Sequence, residues 1–113
     1  MPNNRDVATL LDIARAAQRV LDFKQGMNKT DFLEDAKTQS AIVYQLLILG
    51  EAVKRLLQDL RVQHPEISWA PIAGMRDNLI HNYDDVDLDE VWRTAERDIP
   101  DLLTLLEPLL PSP

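Results

Sequence analysis

Residues 35–63 read DAKTQSAIVYQLLILGEAVKRLLQDLRVQ, and this stretch decides the fold. Ile42, Val43, Leu46, Leu47, Leu49, Val53, Leu56, Leu57 and Leu60 recur at three- and four-residue steps, the period of a helix rather than of a strand. The apolar surface they form, with Ala36, Gln39 and Gly50, is too wide for one contact. A helix apolar over so much of its girth sits at the centre of a bundle, or packs both on its own chain and on a second one. Gly50 interrupts it at a cost of about 1 kcal/mol against alanine, and close approach of another backbone over Gly50 would account for its presence. Glu51, a lone acid between Gly50 and Ala52, reads either as a solvated helix residue or as a group reaching across to Arg76.

Upstream, Val7, Leu10, Leu11, Ala14, Ala17, Val20 and Leu21 make one apolar stripe, predicting a helix from an N-cap near Asn4 to about Phe23. Lys24-Gln25-Gly26 closes it. Asp31-Phe32-Leu33-Glu34 has the pattern of a capping box. Downstream, His64-Pro65 ends the long helix, because the residue before proline avoids the α region. Ser68 is placed to cap a short helix whose buried face is Trp69, Ile72, Met75, Leu79 and Ile80, with Pro71 tolerated in its first turn. A turn at Asp84-Asp85-Val86 and a second capping-box pattern at Asp87-Leu88-Asp89-Glu90 lead into a last helix through Val91, Trp92, Ala95, Ile99, Leu102 and Leu106. Pro100 must kink or divide that helix, and Leu110-Pro111-Ser112-Pro113 cannot extend it. Trp69 and Trp92 read as core anchors. No strand pattern or repeat occurs, so the expected fold is all-α, an antiparallel helical bundle forming one domain over residues 1–113.

Composition bounds the function. The chain has no cysteine, so disulfides and thiolate metal sites are excluded, and two separated histidines offer no ligand cluster, so neither metal nor cofactor is expected. The polar start Met1-Pro2-Asn3-Asn4 has no signal-peptide core and no run reaches the length of a membrane span, giving the expectation of a soluble, cytoplasmic protein. The net charge of −7 argues against a broad nucleic-acid-binding face. Residues 84–101, however, hold eight of the acids against Arg93 and Arg97, which leaves the rest of the chain nearly neutral and a local positive cleft open.

Such a cleft would lie at Arg76-Asp77-Asn78-Leu79-Ile80-His81-Asn82-Tyr83, the segment richest in reactive groups. Arg76 and Tyr83, seven apart, share a helical face, whereas Arg76 and His81 stand about 140° apart on a regular helix. They converge only if the helix frays near His81, or if a second copy brings its own pair to the same place. Asp77, four residues before His81, is positioned to orient the imidazole, and Asn78, three before it, to hold the ring or bind substrate. Histidine as proton carrier and arginine as phosphate partner would suit metal-free RNA cleavage. Taken singly, without a wider match, the same residues read as ion pairs and helix caps, and Tyr83 as a half-buried packing residue.

The Arg76-x4-His81-x-Tyr83 spacing resembles the signature of HEPN domains, specifically of the HepT-like toxin family. Phe32-Leu33 with Asp35, Thr38-Gln39-Ser40-Ala41, Gly50-Glu51-Ala52, Pro65-Glu66-Ile67-Ser68-Trp69, Gly74-Met75-Arg76, Val91-Trp92 and Asp98-Ile99-Pro100-Asp101-Leu102 are similar to the family pattern in the same order. Asp77 stands where the family often has asparagine. The resemblance implies a helical bundle that dimerises with its two motifs facing a shared cleft, and a metal-independent endoribonuclease in which Arg76 and His81 are catalytic. Asp77, Asn78 and Glu51 would then support the site. It further implies a toxin encoded beside an MNT-type nucleotidyltransferase antitoxin that transfers AMP to the motif tyrosine, here Tyr83. Some members are known only as nucleotide-binding or nucleotidyltransferase-binding modules, which is the alternative function.

Overall fold

The computed structural model describes residues 4–111; Met1–Pro2–Asn3 and the tail end Ser112–Pro113, on which two of the sequence expectations fall, lie outside them. The described residues are helical, with no strand among them, as the periodicity predicts. The elements are α1 (Asn4–Lys24), α2 (Lys29–Leu33), α3 (Ala36–Arg55), α4 (Gln58–Gln63), α5 (Trp69–His81), α6 (Leu88–Arg93), a π-helical turn (Thr94–Asp98), α7 (Ile99–Leu106) and a 3-10 turn (Glu107–Leu109). None of these helices is long and apolar enough to cross a membrane.

The central position read for residues 35–63 holds, since α3 packs on α1 along one side and on α5 along another. Helices α1 and α3 run antiparallel: Asp6 near the start of α1 accepts the Leu57 N–H just beyond α3 at 3.3 Å, and Asp12 pairs with Arg55 at 3.6 Å. Helix α7 lies on the other side of α1. Leu10, Ile13, Val20, Phe32, Ile42, Leu49, Val53, Val91, Ile99 and Leu106 are sealed from solvent between these elements. Each such side chain stabilises the fold by about 1.5–3 kcal/mol relative to exposure. Phe32 and Trp92 meet with ring centroids 5.4 Å apart, which ties α2 to α6, and both tryptophans are buried as expected.

The local expectations fare unevenly. Gly26 closes the first helix with φ +78°, a left-handed conformation that a glycine adopts without steric cost. The first capping box sits three residues earlier than the sequence suggests. Asn28 is the N-cap and accepts the Asp31 N–H at 2.8 Å, while Asp31 returns to the Asn28 N–H at 3.1 Å. Asp31 is thus the closing member of the box. The next cap is Asp35, which holds the Thr38 N–H at 3.0 Å and its hydroxyl at 2.9 Å. These bonds, the backbone N–H first, keep the Asp35 carboxyl below the usual carboxylate range.

The long helix does not continue to Gln63. Leu56 and Leu57 both take extended backbone, with ψ of 142° and 145°, and α4 starts afresh behind them. Leu56 and Leu60 both lie in the core on either side of the break, and buried Asp6 supplies an acceptor for the Leu57 N–H that the break releases. His64 caps α4 as expected. Asp87 caps α6 by accepting the Glu90 N–H at 3.2 Å. The last helix is divided as expected, and the divider is a π turn: the Ile99 N–H reaches back to the Thr94 carbonyl. Widening the ladder by one residue relieves the contact that the Pro100 ring would make with the preceding turn.

Candidate functional site

Helix α5 carries the Arg76–Tyr83 segment, and its start is anchored. Trp69 is buried and donates its indole N–H to the His64 carbonyl at 3.0 Å, while its backbone N–H is held by the Ile67 carbonyl at 2.9 Å. Ser68 stands at the N-cap but makes no side-chain cap bond, contrary to expectation. From this anchor α5 lies against α3 at Gly50. A Cβ on Gly50 would collide with the Arg76 Cβ and come within 3.3 Å of the Ile72 carbonyl. The glycine in the middle of α3 therefore answers to a close approach, as its sequence position suggests, and what approaches is the very turn of α5 that bears Arg76.

That approach puts Arg76 among charges. Its Nη2 lies 2.9 Å from Glu51 Oε2 and its Nη1 2.9 Å from Asp77 Oδ1, and the Lys54 Nζ donates to the same Asp77 oxygen at 2.9 Å. Of the two readings of Glu51, the ion pair across to Arg76 is the one observed. The result is a chain of alternating sign, Glu51, Arg76, Asp77, Lys54, with no net charge. The hydrogen bond from Lys54, followed by that from Arg76, holds the Asp77 carboxyl below its ordinary value. The bond to Asp77 raises the Arg76 pKa, so the guanidinium stays charged. The Arg76 side chain is a quarter exposed, and its Nε is buried without a hydrogen-bond partner among the described residues.

His81 and Tyr83 are disposed differently. Helix α5 stays regular through His81, its last residue, so fraying does not bring the imidazole round to Arg76. No hydrogen bond or ion pair joins the two among the described residues, and the rotation of about 140° between them stands. His81 is exposed and its ring makes no hydrogen bond among the described residues. The expected Asp77–His81 pairing does not form, because Asp77 is committed to Lys54 and Arg76. Asn78 does not hold the ring either. Its side-chain carbonyl accepts from Asn82 Nδ2 at 2.7 Å, and its backbone carbonyl accepts both the Asn82 N–H at 3.0 Å and its side-chain amide at 3.1 Å, closing the helix end. Tyr83 is 81% exposed in the turn that follows, not half-buried, and Ile80, expected in the core, is 41% exposed. Ile80 lies on the flank of α5 away from Leu79, which is the residue that reaches the core.

Two participants escaped the sequence reading. Lys54 lies three residues after Glu51 on the same face of α3, a spacing that could have suggested it. Asn82, four after Asn78, was legible only as a generic helix-closing amide. Around the cluster, α3 presents Tyr44 exposed and Leu47 and Ile48 half-buried on the face that carries Glu51. No group of histidine and acidic residues suited to a metal ion occurs among the described residues.

The sequence matches the family model described as Ribonuclease HepT-like over residues 13–109. It is 44% identical over 100 residues to a protein of Thermococcus cleftensis named a probable ribonuclease HepT, covering 88% of this chain and 91% of that one. Two proteins of Methanocaldococcus jannaschii provisionally named RNases are 36% and 34% identical over 110 residues, covering 97% of this chain and 91% and 95% of theirs. No solved structure matches.

Proposed function

Because the chain belongs to the HepT-like ribonuclease family, we propose that it is an endoribonuclease toxin whose working unit is a homodimer, with Arg76 and His81 of both protomers lining one cleft. The observation that carries this reading is the regularity of α5 through His81. Within one protomer the guanidinium and the imidazole face different directions, so a phosphate can meet both only where two protomers adjoin. The exposed Tyr44 and Ile80, with half-buried Leu47 and Ile48, supply apolar surface beside the cluster for such a contact.

In the proposed reaction one His81 takes the proton of a ribose 2'-hydroxyl, the hydroxyl oxygen attacks the adjacent phosphorus, and the other His81 protonates the departing 5'-oxygen. Arg76 faces the phosphoryl oxygens as their charge grows. Glu51 and Asp77 fix the guanidinium in place beforehand, and Asn78 with Asn82 holds the helix end that carries His81. No metal takes part in this scheme. The partner proposed for control is an MNT-type nucleotidyltransferase antitoxin that transfers AMP from ATP to the Tyr83 hydroxyl, releasing pyrophosphate. The exposure of Tyr83, two residues from His81, suits it to that transfer, and the added phosphate would crowd and repel RNA at the cleft mouth.

The test is RNA cleavage by the purified protein with a metal chelator present. His81→Ala should lower the rate by about 10²–10⁴-fold, the contribution of a positioned acid–base group, while leaving helicity and oligomeric state unchanged. Cleavage at the unaltered rate would reject the assignment. A wild-type protein that binds the nucleotidyltransferase yet cuts no RNA would leave the binding-module alternative standing.

A further inference from the structure

The pairing around Arg76 is crosswise. Glu51 of α3 meets Arg76 of α5 at 2.9 Å, and Lys54 of α3 meets Asp77 of α5 at 2.9 Å. Glu51 and Lys54, three apart on one helix, have the spacing of an ion pair, yet no bond joins them among the described residues. The close seating of α5 over Gly50 brings the two turns together and sends each acid to the other helix. Asp77 Oδ1 accepts from both Lys54 Nζ and Arg76 Nη1, so those nitrogens stand no further apart than two hydrogen bonds laid end to end. The bonds from Lys54 and then Arg76 keep this carboxyl ionised near neutrality. Arg55, the next cation on α3, is turned toward α1, where Asp12 takes it at 3.6 Å. Among the described residues, Lys54 is therefore the one cation besides Arg76 that meets either carboxylate.

The charge balance gives Lys54 a task. A lone guanidinium between Glu51 and Asp77 would leave the turn with excess negative charge, and an anionic RNA backbone would be repelled from the group that is to receive it. Lys54 brings the balance to zero. Its side chain and those of the two acids are nearly half exposed, against a quarter for Arg76, so an approaching phosphate meets their charges before it meets the guanidinium. We infer that Lys54 is a positioning residue for RNA, acting through Asp77: it cancels the Asp77 charge and shares the oxygen that would otherwise bind Arg76 alone. An arginine carries five N–H donors, and here Nη1 and Nη2 each give one to a carboxylate. The second N–H on each is left for a phosphate, and sharing Oδ1 with Lys54 loosens the acid's hold on Nη1. This role rests on the nuclease reading, in which Arg76 faces the phosphoryl oxygens. It is separable from folding, because an ion pair so exposed contributes only modestly to stability.

The test is steady-state cleavage of an RNA oligonucleotide by the full chain, with chelator, for Lys54→Met, Lys54→Arg and Lys54→Met/Asp77→Asn, at a temperature where circular dichroism shows each folded. Lys54→Met should lower kcat/KM about tenfold, the effect of one unit charge a few ångströms from a bound phosphate near a protein surface. The loss should lie in KM rather than kcat, because the phosphate is already charged before it reacts. Lys54→Arg keeps the cation and should stay within about threefold of the wild type. The double variant should recover most of the loss: asparagine still offers Arg76 an acceptor oxygen but carries no charge to cancel. A merely structural Lys54 predicts the opposite, since the double variant lacks both members of the ion pair and melts no higher than Lys54→Met. Lys54→Met with the KM of an active wild type would overturn this role alone. A loss that persists undiminished in the double variant would overturn it too, by placing the ammonium on the phosphate itself. A wild type that cuts no RNA would overturn the nuclease reading and this role with it.

Discussion

Gly50 and Arg76 hold each other in place, and the consequence can be measured. Alanine at position 50 would gain about 1 kcal/mol of helix propensity, but its methyl would press on the Arg76 Cβ and the Ile72 carbonyl. Backbone cannot yield as a flexible side-chain end can, and forced overpacking costs about 1–3 kcal/mol. The clash should win: Gly50→Ala is expected to lower stability in urea unfolding, and Gly50→Val to lower it further. A neutral or stabilised Gly50→Ala would show that α5 stands off from α3. Asp77 gives a pH signature. Its folded pKa is depressed by Lys54 and Arg76, so its stabilising effect is complete above the unfolded carboxylate value of about 3.9 and is lost as pH falls through the folded value. Asp77→Asn should therefore melt below the wild type near neutrality, and the two melting curves should converge in acid below about pH 4. The role of Gly50 and the reach of Glu51 were legible because a glycine and a lone acid inside an apolar helix are both anomalies. The sharing of Asp77 between Arg76 and Lys54 was not, since it depends on how α5 is seated on α3, and helical periodicity carries no information about seating.

Between Arg55 and Gln58 the chain breaks where its pattern does not. Leu56 and Leu60 are four apart, a spacing that continues the helical stripe, so periodicity alone reads through the break. What permits it lies fifty residues away, in the buried Asp6 carboxylate that takes the Leu57 N–H. Removing that acceptor by Asp6→Ala should cost about 1.5–3 kcal/mol, the worth of a hydrogen bond to a charged group, read as a lower urea midpoint with an unchanged slope. An effect below a few tenths of a kcal/mol would mean that water serves the N–H equally well. The other local shifts share a cause. Asn28 rather than Asp31 starts α2 because both have capping chemistry and only the path of the chain out of Gly26 selects between them. Pro100, by contrast, announced its interruption correctly, since a missing N–H disrupts the ladder in any context.

For the whole molecule, the all-α class and central α3 followed from apolar spacing, and the Arg76–Tyr83 segment stood out by composition. The exposure of Ile80 on α5 did not, because no pattern in one sequence tells which of several apolar positions a neighbour will leave uncovered. Nor does one protomer unite the proposed catalytic groups, and the account turns on that separation. The most direct measurement is RNA cleavage, with chelator, by Arg76→Ala, His81→Ala and an equimolar mixture of the two after subunit exchange. Each variant alone should be inactive. The mixture should cleave above either variant and below the wild type, because about half its dimers carry one intact Arg76 and one intact His81 in the shared cleft, with water left to serve one of the two proton transfers. A mixture as inactive as its components, beside an active wild type, would contradict a site assembled from two protomers.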